Sequence, residues 1–237
     1  MMKPFNDVLK ESLFFFKTNF RSICAVVLPV IIPLEIFYGI CDALYQEGDD
    51  SILWLASGAG LLMMPVYQGA LILYLASVLT DEYLPVKTCY QRALKYWLPL
   101  MAVYILSSLA IATGFLLLII PGLMVMGRLA FAEFYCLLRN KSGYEALWDS
   151  WQNSRKEQWQ LVGGLILIPV AIVIPLLLLE SFLNLLGLAG PVFAFISSIL
   201  SSIGFTLSTI FAFRMYTLDP ERYSVHVAPE DNQGLIE

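Results

Sequence analysis

LVGGLILIPVAIVIPLLLLESFLNLLGLAGPVFAFISSILSSIGFTLSTIFAF, residues 161–213, carries one charge, Glu180, and is apolar almost throughout. A hydrocarbon core ~30 Å thick is crossed by ~20 residues of helix at ~1.5 Å rise. The stretch is therefore long enough for two passes, with a turn near 184–189, and it reads as a transmembrane helical hairpin. Working outward, three more apolar stretches follow the same rule: residues 22–45, 51–80 and 97–138, the last again long enough for two. The whole chain agrees. It is 59% apolar and 14% charged, against ~45–50% and ~25% for a soluble domain.

The expected fold is all-α: a polytopic bundle of about six spans, near 22–45, 51–80, 97–120, 123–138, 161–183 and 190–213. They form three hairpin pairs in a single membrane domain, 1–218, followed by a polar cytoplasmic tail, 219–237. Each pair is preceded by an amphipathic segment. Phe5, Leu9, Leu13, Phe16 and Phe20 recur every three or four residues, so they share a helical face, with Lys10, Lys17 and Arg21 largely elsewhere. Val86, Tyr90, Ala93 and Trp97 repeat the plan, as do Tyr144, Leu147, Trp148 and Trp151. Such helices lie in the membrane interface, apolar face down and cations toward lipid headgroups. Phe5, Phe16, Phe20, Trp97, Trp148, Trp151 and Trp159 are the interface residues expected. The start is too long for a cleaved leader and reads as a retained first span.

Basic residues orient the chain. With the N-terminus in the cytoplasm, thirteen of the fourteen lysines and arginines fall in inside segments and none in an outside loop. Arg128 lies within a span. Cytoplasmic loops carry such an excess, so both termini are expected inside, and removing the fourth span would put the cations of 139–156 outside.

Charges within spans are costly, at ~2.5–3.5 kcal/mol or more at the centre. That singles out Glu35, Arg128, Glu133 and Glu180. Counted from the span ends, Glu35 and Glu133 lie near mid-depth, Arg128 toward the outer leaflet and Glu180 near the outer interface. Arg128 and Glu133 are about 140° apart around a helix, so each is expected to find its partner on another helix, for Arg128 a carboxylate such as Glu35, Glu133 or Glu180 or free backbone carbonyls. These residues support either of two readings, an ion or transport pathway or structural pairs that fix the bundle. Ser197-x-x-x-Ser201, Ser198-x-x-x-Ser202 and Gly204-x-x-x-Ser208, with Ser57-Gly58-Ala59-Gly60, offer small-residue faces for close helix approach. Pro29, Pro33, Pro65, Pro169 and Pro175 are expected to break or kink their spans.

Signals for soluble chemistry are missing from the sequence. It has no HExxH, GxSxG or phosphate-loop pattern, and His226, its one histidine, sits in the tail. The four cysteines show no paired spacing and read as small buried side chains. No cofactor or metal is expected, and a net charge of −5 argues against nucleic acid.

One stretch resembles a known family. PGLMVMGRLAFAEFYCLLRNKSGYEALWDSWQNSRKEQWQL, residues 121–161, holds Pro121-Gly122, then Arg128-Leu129-Ala130-Phe131-Ala132, Gly143, and Ala146-Leu147-Trp148-Asp149-Ser150-Trp151. This resembles the YciC-like family of uncharacterised bacterial inner-membrane proteins, and the likeness implies a cytoplasmic-membrane protein without implying a reaction. Pro121, Gly122, Arg128, Ser150 and Trp151 are its motif positions. The functional expectation is a non-enzymatic inner-membrane protein acting in envelope or lipid-bilayer organisation, with anionic headgroups of the cytoplasmic leaflet as partners. Two alternatives stand beside it. One is a small-molecule or lipid transporter using Glu35, Arg128 and Glu133; the other is an accessory subunit of a larger membrane complex, resting on the small-residue faces.

Overall fold

The computed structural model describes residues 3–45, 50–188, 190–219 and 222. Of the expected tail, Asp219 and Arg222 are therefore described, while His226 and most of the loop at 46–50 lie outside the described residues. Ten helices follow in order: α1 (Phe5–Thr18), α2 (Phe20–Leu44), α3 (Ser51–Leu79), α4 (Val86–Lys95), α5 (Trp97–Leu117), α6 (Ile119–Leu129), α7 (Ala132–Leu138), α8 (Gly143–Asn153), α9 (Gln158–Leu185) and α10 (Pro191–Thr217). Six units are long and apolar enough to cross a membrane: α2, α3, α5, the α6–α7 unit Ile119–Leu138, α9 and α10. The described residues form an all-α bundle, as the apolar stretches require.

The arrangement is cyclic. The hairpins α2–α3, α5–α6 and α9–α10 pack internally, and α3 meets α5, α6 meets α9, and α10 meets α2, so the six spans close into a ring. Each short helix packs on the second span of the hairpin before it: α4 on α3, α8 on α7, and α1, closing the cycle, on α10. The threefold plan read from the sequence is thus a threefold arrangement in space.

Burial is concentrated at the end bearing the short helices. In α3 the buried residues run from Pro65 to Ser77, and in α10 from Thr206 to Tyr216. Phe131, Phe134, Tyr135, Phe213 and Tyr216 stack there edge-on or tilted. Toward the opposite end, Leu53, Trp54, Leu177, Leu178, Val192 and Ile196 point outward. Apolar side chains exposed along the spans are what a lipid-embedded surface presents, because acyl chains solvate them.

The chain breaks elsewhere than the proline pattern suggests. Helices α2, α3 and α9 run through Pro29, Pro33, Pro65, Pro169 and Pro175 without ending. The third span stops at Leu117, with Leu118 extended, and Pro121-Gly122 falls in the first turn of α6 instead of in a loop. A proline is tolerated there because that turn has no intrahelical use for its N–H. Both glycines are needed for space: a Cβ on Gly114 would stand 2.9 Å from Gly122 Cα, and one on Gly122 would stand 2.5 Å from Phe115 Cγ, so the α5 and α6 backbones touch. Helix α8 starts on a capping box, Ser142 with Glu145.

Candidate functional site

The fourth span is not one helix. It breaks at Ala130–Phe131, between α6 and α7, which frees backbone groups that lipid cannot satisfy. Side chains of α8 and the turn after it cover them. Ser150 Oγ donates to Arg128 O at 2.7 Å and accepts from Phe131 N at 3.1 Å, and Ser154 Oγ donates to the same carbonyl at 2.8 Å. Arg128 turns back into this corner. Its Nε donates to Gln158 Oε1 at 2.6 Å and Nη1 to Trp151 O at 2.7 Å, with the guanidinium 5.1 Å from the Trp151 ring centroid. Gly127 lets α9 close in, since a Cβ there would lie 2.6 Å from Gln158 O.

These contacts revise the expectation for Arg128. Gln158 is the first residue of α9, and Trp151 belongs to α8. Arg128 therefore sits at the end of the bundle with the short helices, opposite to the end that counting residues from the span limits assigns it. Of the expected partners, a carboxylate or a backbone carbonyl on another helix, it takes the carbonyl of Trp151 and adds the Gln158 amide, and its hydrogen bonds do not go to Glu35, Glu133 or Glu180. Motif positions Arg128, Ser150 and Trp151 meet in one corner, whereas Pro121 and Gly122 serve the α5–α6 contact.

A buried ion pair beside the corner was not visible in the sequence. Arg222 Nη2 reaches Glu157 Oε1 and Oε2 at 3.0 and 2.9 Å, and its Nε lies 3.2 Å from Asp219. Its guanidinium covers the Phe131 ring at 5.2 Å, and Tyr216 Oη and Arg139 Nε both donate to its carbonyl. Arg222, five positions past the end of α10, is thus fastened to the start of α9 and the break before α7. Sixty-five positions separate the pair, and only the placement of Glu157 just before an apolar run hinted at it.

The intramembrane carboxylates are held singly. Tyr104 Oη donates to Glu133 Oε2 at 2.7 Å, linking α5 to α7, and Ser202 Oγ donates to Glu35 Oε1 at 3.2 Å, linking α10 to α2. Thr209 Oγ1 and Gln68 Oε1 join α10 to α3 at 3.2 Å. Glu180, in the C-terminal half of α9, is not hydrogen-bonded to any of these among the described residues. The small-residue faces take part: Ser202 bonds Glu35, Gly60 accommodates the Tyr38 hydroxyl, and Gly204 faces Ile172. Arg128 and the carboxylates do not form one site.

The expected interface residues divide. Phe20, Trp148 and Trp159 are 44%, 54% and 56% exposed. Phe5 packs edge-on against Phe211, Phe16 against Phe20, Trp97 donates to Leu62 O at 2.9 Å, and Trp151 lies under Arg128. In α1 the buried residues are Val8 and Ser12, turned from the predicted stripe, and Phe14 faces out. Phe5, Leu9 and Phe16 of that stripe are partly buried against the same core as Val8, and Phe5 meets Phe211, so α1 packs on α10 with one edge of the predicted face. Glu11 completes that contact: hydrogen bonds from Lys3 and from Arg214, at 2.9 Å, hold its carboxyl below the usual range.

Reactive groups are quiet outside the spans. Burial in α4 pushes the Cys89 thiol up to about 11, leaving it a thiol at neutral pH and a poor nucleophile. Burial likewise pushes Tyr90 to about 12, its hydroxyl donating to Val26 O. All four cysteines are free, with Cys41, Cys89 and Cys136 buried. No cluster of three or more His, Cys, Asp or Glu side chains forms among the described residues.

Compared with models of known families, with curated proteins and with solved structures, the chain matches none.

Proposed function

We propose that this chain is a non-enzymatic protein of the bacterial cytoplasmic membrane, with both termini inside, that organises lipid at the inner leaflet. One observation carries the reading: a belt of outward aromatic and cationic side chains surrounds the end where the three short helices pack. Phe14 is 72% exposed and Tyr144 71%, and Trp148 and Trp159 stand out beside them. Lys10, Lys17, Lys87, Lys95, Arg155 and Lys156 are exposed in or next to the same helices. Each cation near an anionic surface contributes ~1 kcal/mol, weakened by salt. Tryptophan prefers the headgroup level, where its ring is apolar and its N–H is wet. The transport reading needs Arg128 and the two carboxylates at one place, and the corner at Trp151 and Gln158 draws Arg128 away from them.

The test is fluorescence quenching of a full-length variant that keeps Trp148 and carries Phe at the other four tryptophans. In vesicles containing anionic lipid brominated near the headgroup end of the acyl chain, Trp148 emission should be quenched strongly. Bromines near the chain terminus should quench less. Emission indifferent to both lipids would mean that the belt is covered by protein, and the reading would fail.

A further inference from the structure

Helix α9 opens with two glycines that do different work. A Cβ on Gly164 would stand 2.1 Å from Phe211 Cε1, so glycine is required there for α10 to close on α9. Gly163 has no such need, since the nearest atom to its Cβ position is Phe5 Cε2 at 3.7 Å, an ordinary contact. What its missing side chain leaves is space. An open groove of about 560 Å³ runs between α1 and α9, walled by Phe5, Trp159, Gly163, Ile166, Leu167 and Val170.

The groove has the dimensions and polarity of a site for one acyl chain. From Trp159 to Val170 it follows α9 for about 16 Å at ~1.5 Å per residue. That is half of a ~30 Å hydrocarbon core, the depth of a single leaflet. Its inner end lies at the start of α9 and its far end near the midpoint of that helix. The inner lip is polar: Gln160 contributes an amide that reaches Lys3 O at 3.5 Å, and the exposed Arg155 and Lys156 lie in the turn that leads into α9. Apolar walls along one leaflet beneath a cationic lip fit a phospholipid with an anionic head.

We infer that the α1–α9 groove binds one anionic phospholipid of the inner leaflet, an acyl chain lying over Gly163 and its phosphate near Lys156. This deepens the lipid-organising reading and rests on it, because it takes the basic end to be the cytoplasmic one. The bound lipid would span α1 and α9, so it would reinforce the contact by which the first helix closes the ring on α10.

Native mass spectrometry of the full-length protein, delipidated and titrated with phosphatidylglycerol or phosphatidylcholine, reads the site. Wild type should bind one phosphatidylglycerol at least tenfold more tightly than phosphatidylcholine. Gly163→Phe and Leu167→Trp fill the groove from two sides, and the second alters a side chain 48% exposed, so it threatens no packing. Both should abolish that first binding step, while Gly163→Ala should keep it. Lys156→Gln should reduce the preference for phosphatidylglycerol about fivefold, the effect of one cation at an anionic surface. Equal binding of the two lipids by wild type would overturn the anionic assignment. A tight phosphatidylglycerol unaffected by Leu167→Trp would overturn the groove, and Trp148 quenching would then show separately whether the broader lipid reading survives.

Discussion

Replacing Arg128 with leucine removes the donor to Gln158 Oε1 and to Trp151 O together with the stack on Trp151. Hydrogen bonds to a charged group contribute roughly 1.5–3 kcal/mol each, and a cation–π contact about 1. Leucine regains about 1–2 kcal/mol by burying apolar surface and needs no desolvation of charge. The net loss for Arg128→Leu is therefore about 3 kcal/mol. Arg128→Lys should lose part of this, because one ammonium cannot reproduce the fork that reaches an amide and a carbonyl together. The assay is reversible unfolding in mixed micelles, run as double-mutant cycles. Arg128→Leu combined with Gln158→Leu should show coupling of about 1–2 kcal/mol, and combined with Glu133→Gln within about 0.5 of additivity. Coupling to Glu133 larger than coupling to Gln158 would refute the corner and restore an arginine–carboxylate pair inside the bundle.

Two further perturbations test the same region. Ser150→Ala strips the Phe131 amide of its acceptor and should cost about 2 kcal/mol in the same unfolding assay. Ser154→Ala, which leaves Ser150 still on the Arg128 carbonyl, should cost clearly less; the reverse order would mean that the break at Ala130–Phe131 is satisfied another way. At the second site, Arg222→Met leaves the Glu157 carboxylate unpaired. Breaking such a pair costs about 3–5 kcal/mol, whereas Glu157→Leu with Arg222→Met should recover most of it. If the single variant unfolds at the wild-type midpoint, the pair is not buried as described.

How much of this was legible in the sequence depended on whether the signal was local. The spans were legible because the cost of a charge in hydrocarbon leaves runs such as 161–213 almost free of charge. The short helices were legible by their period, but the side of α1 that faces the bundle was legible only in part. Phe5, Leu9 and Phe16 pack against the core, while the most buried residues, Val8 and Ser12, lie to one side of the stripe, and Leu13 and Phe20 are exposed at its other edge. The break at Ala130–Phe131 has no proline or glycine to announce it. It exists because α8, folding back from residue 143, supplies Ser150, and the following turn supplies Ser154. Five prolines expected to break or kink their spans lie inside helices that continue through them. The Glu157–Arg222 pair joins residues whose proximity the ring alone creates. At the candidate site, Arg128, Ser150 and Trp151 were singled out together by the motif, but their common corner required knowing that α8 returns to α6.

The cytoplasmic belt, the lipid groove and the inward position of Arg128 all require six crossings with the basic end inside. Reporter fusions in cells test that directly, placed at residues 48, 90, 150, 186 and 230. The account predicts periplasmic activity at 48 and 186 and cytoplasmic activity at 90, 150 and 230. Cytoplasmic activity at 186 would remove the fourth span as a crossing, open the ring, and contradict the account.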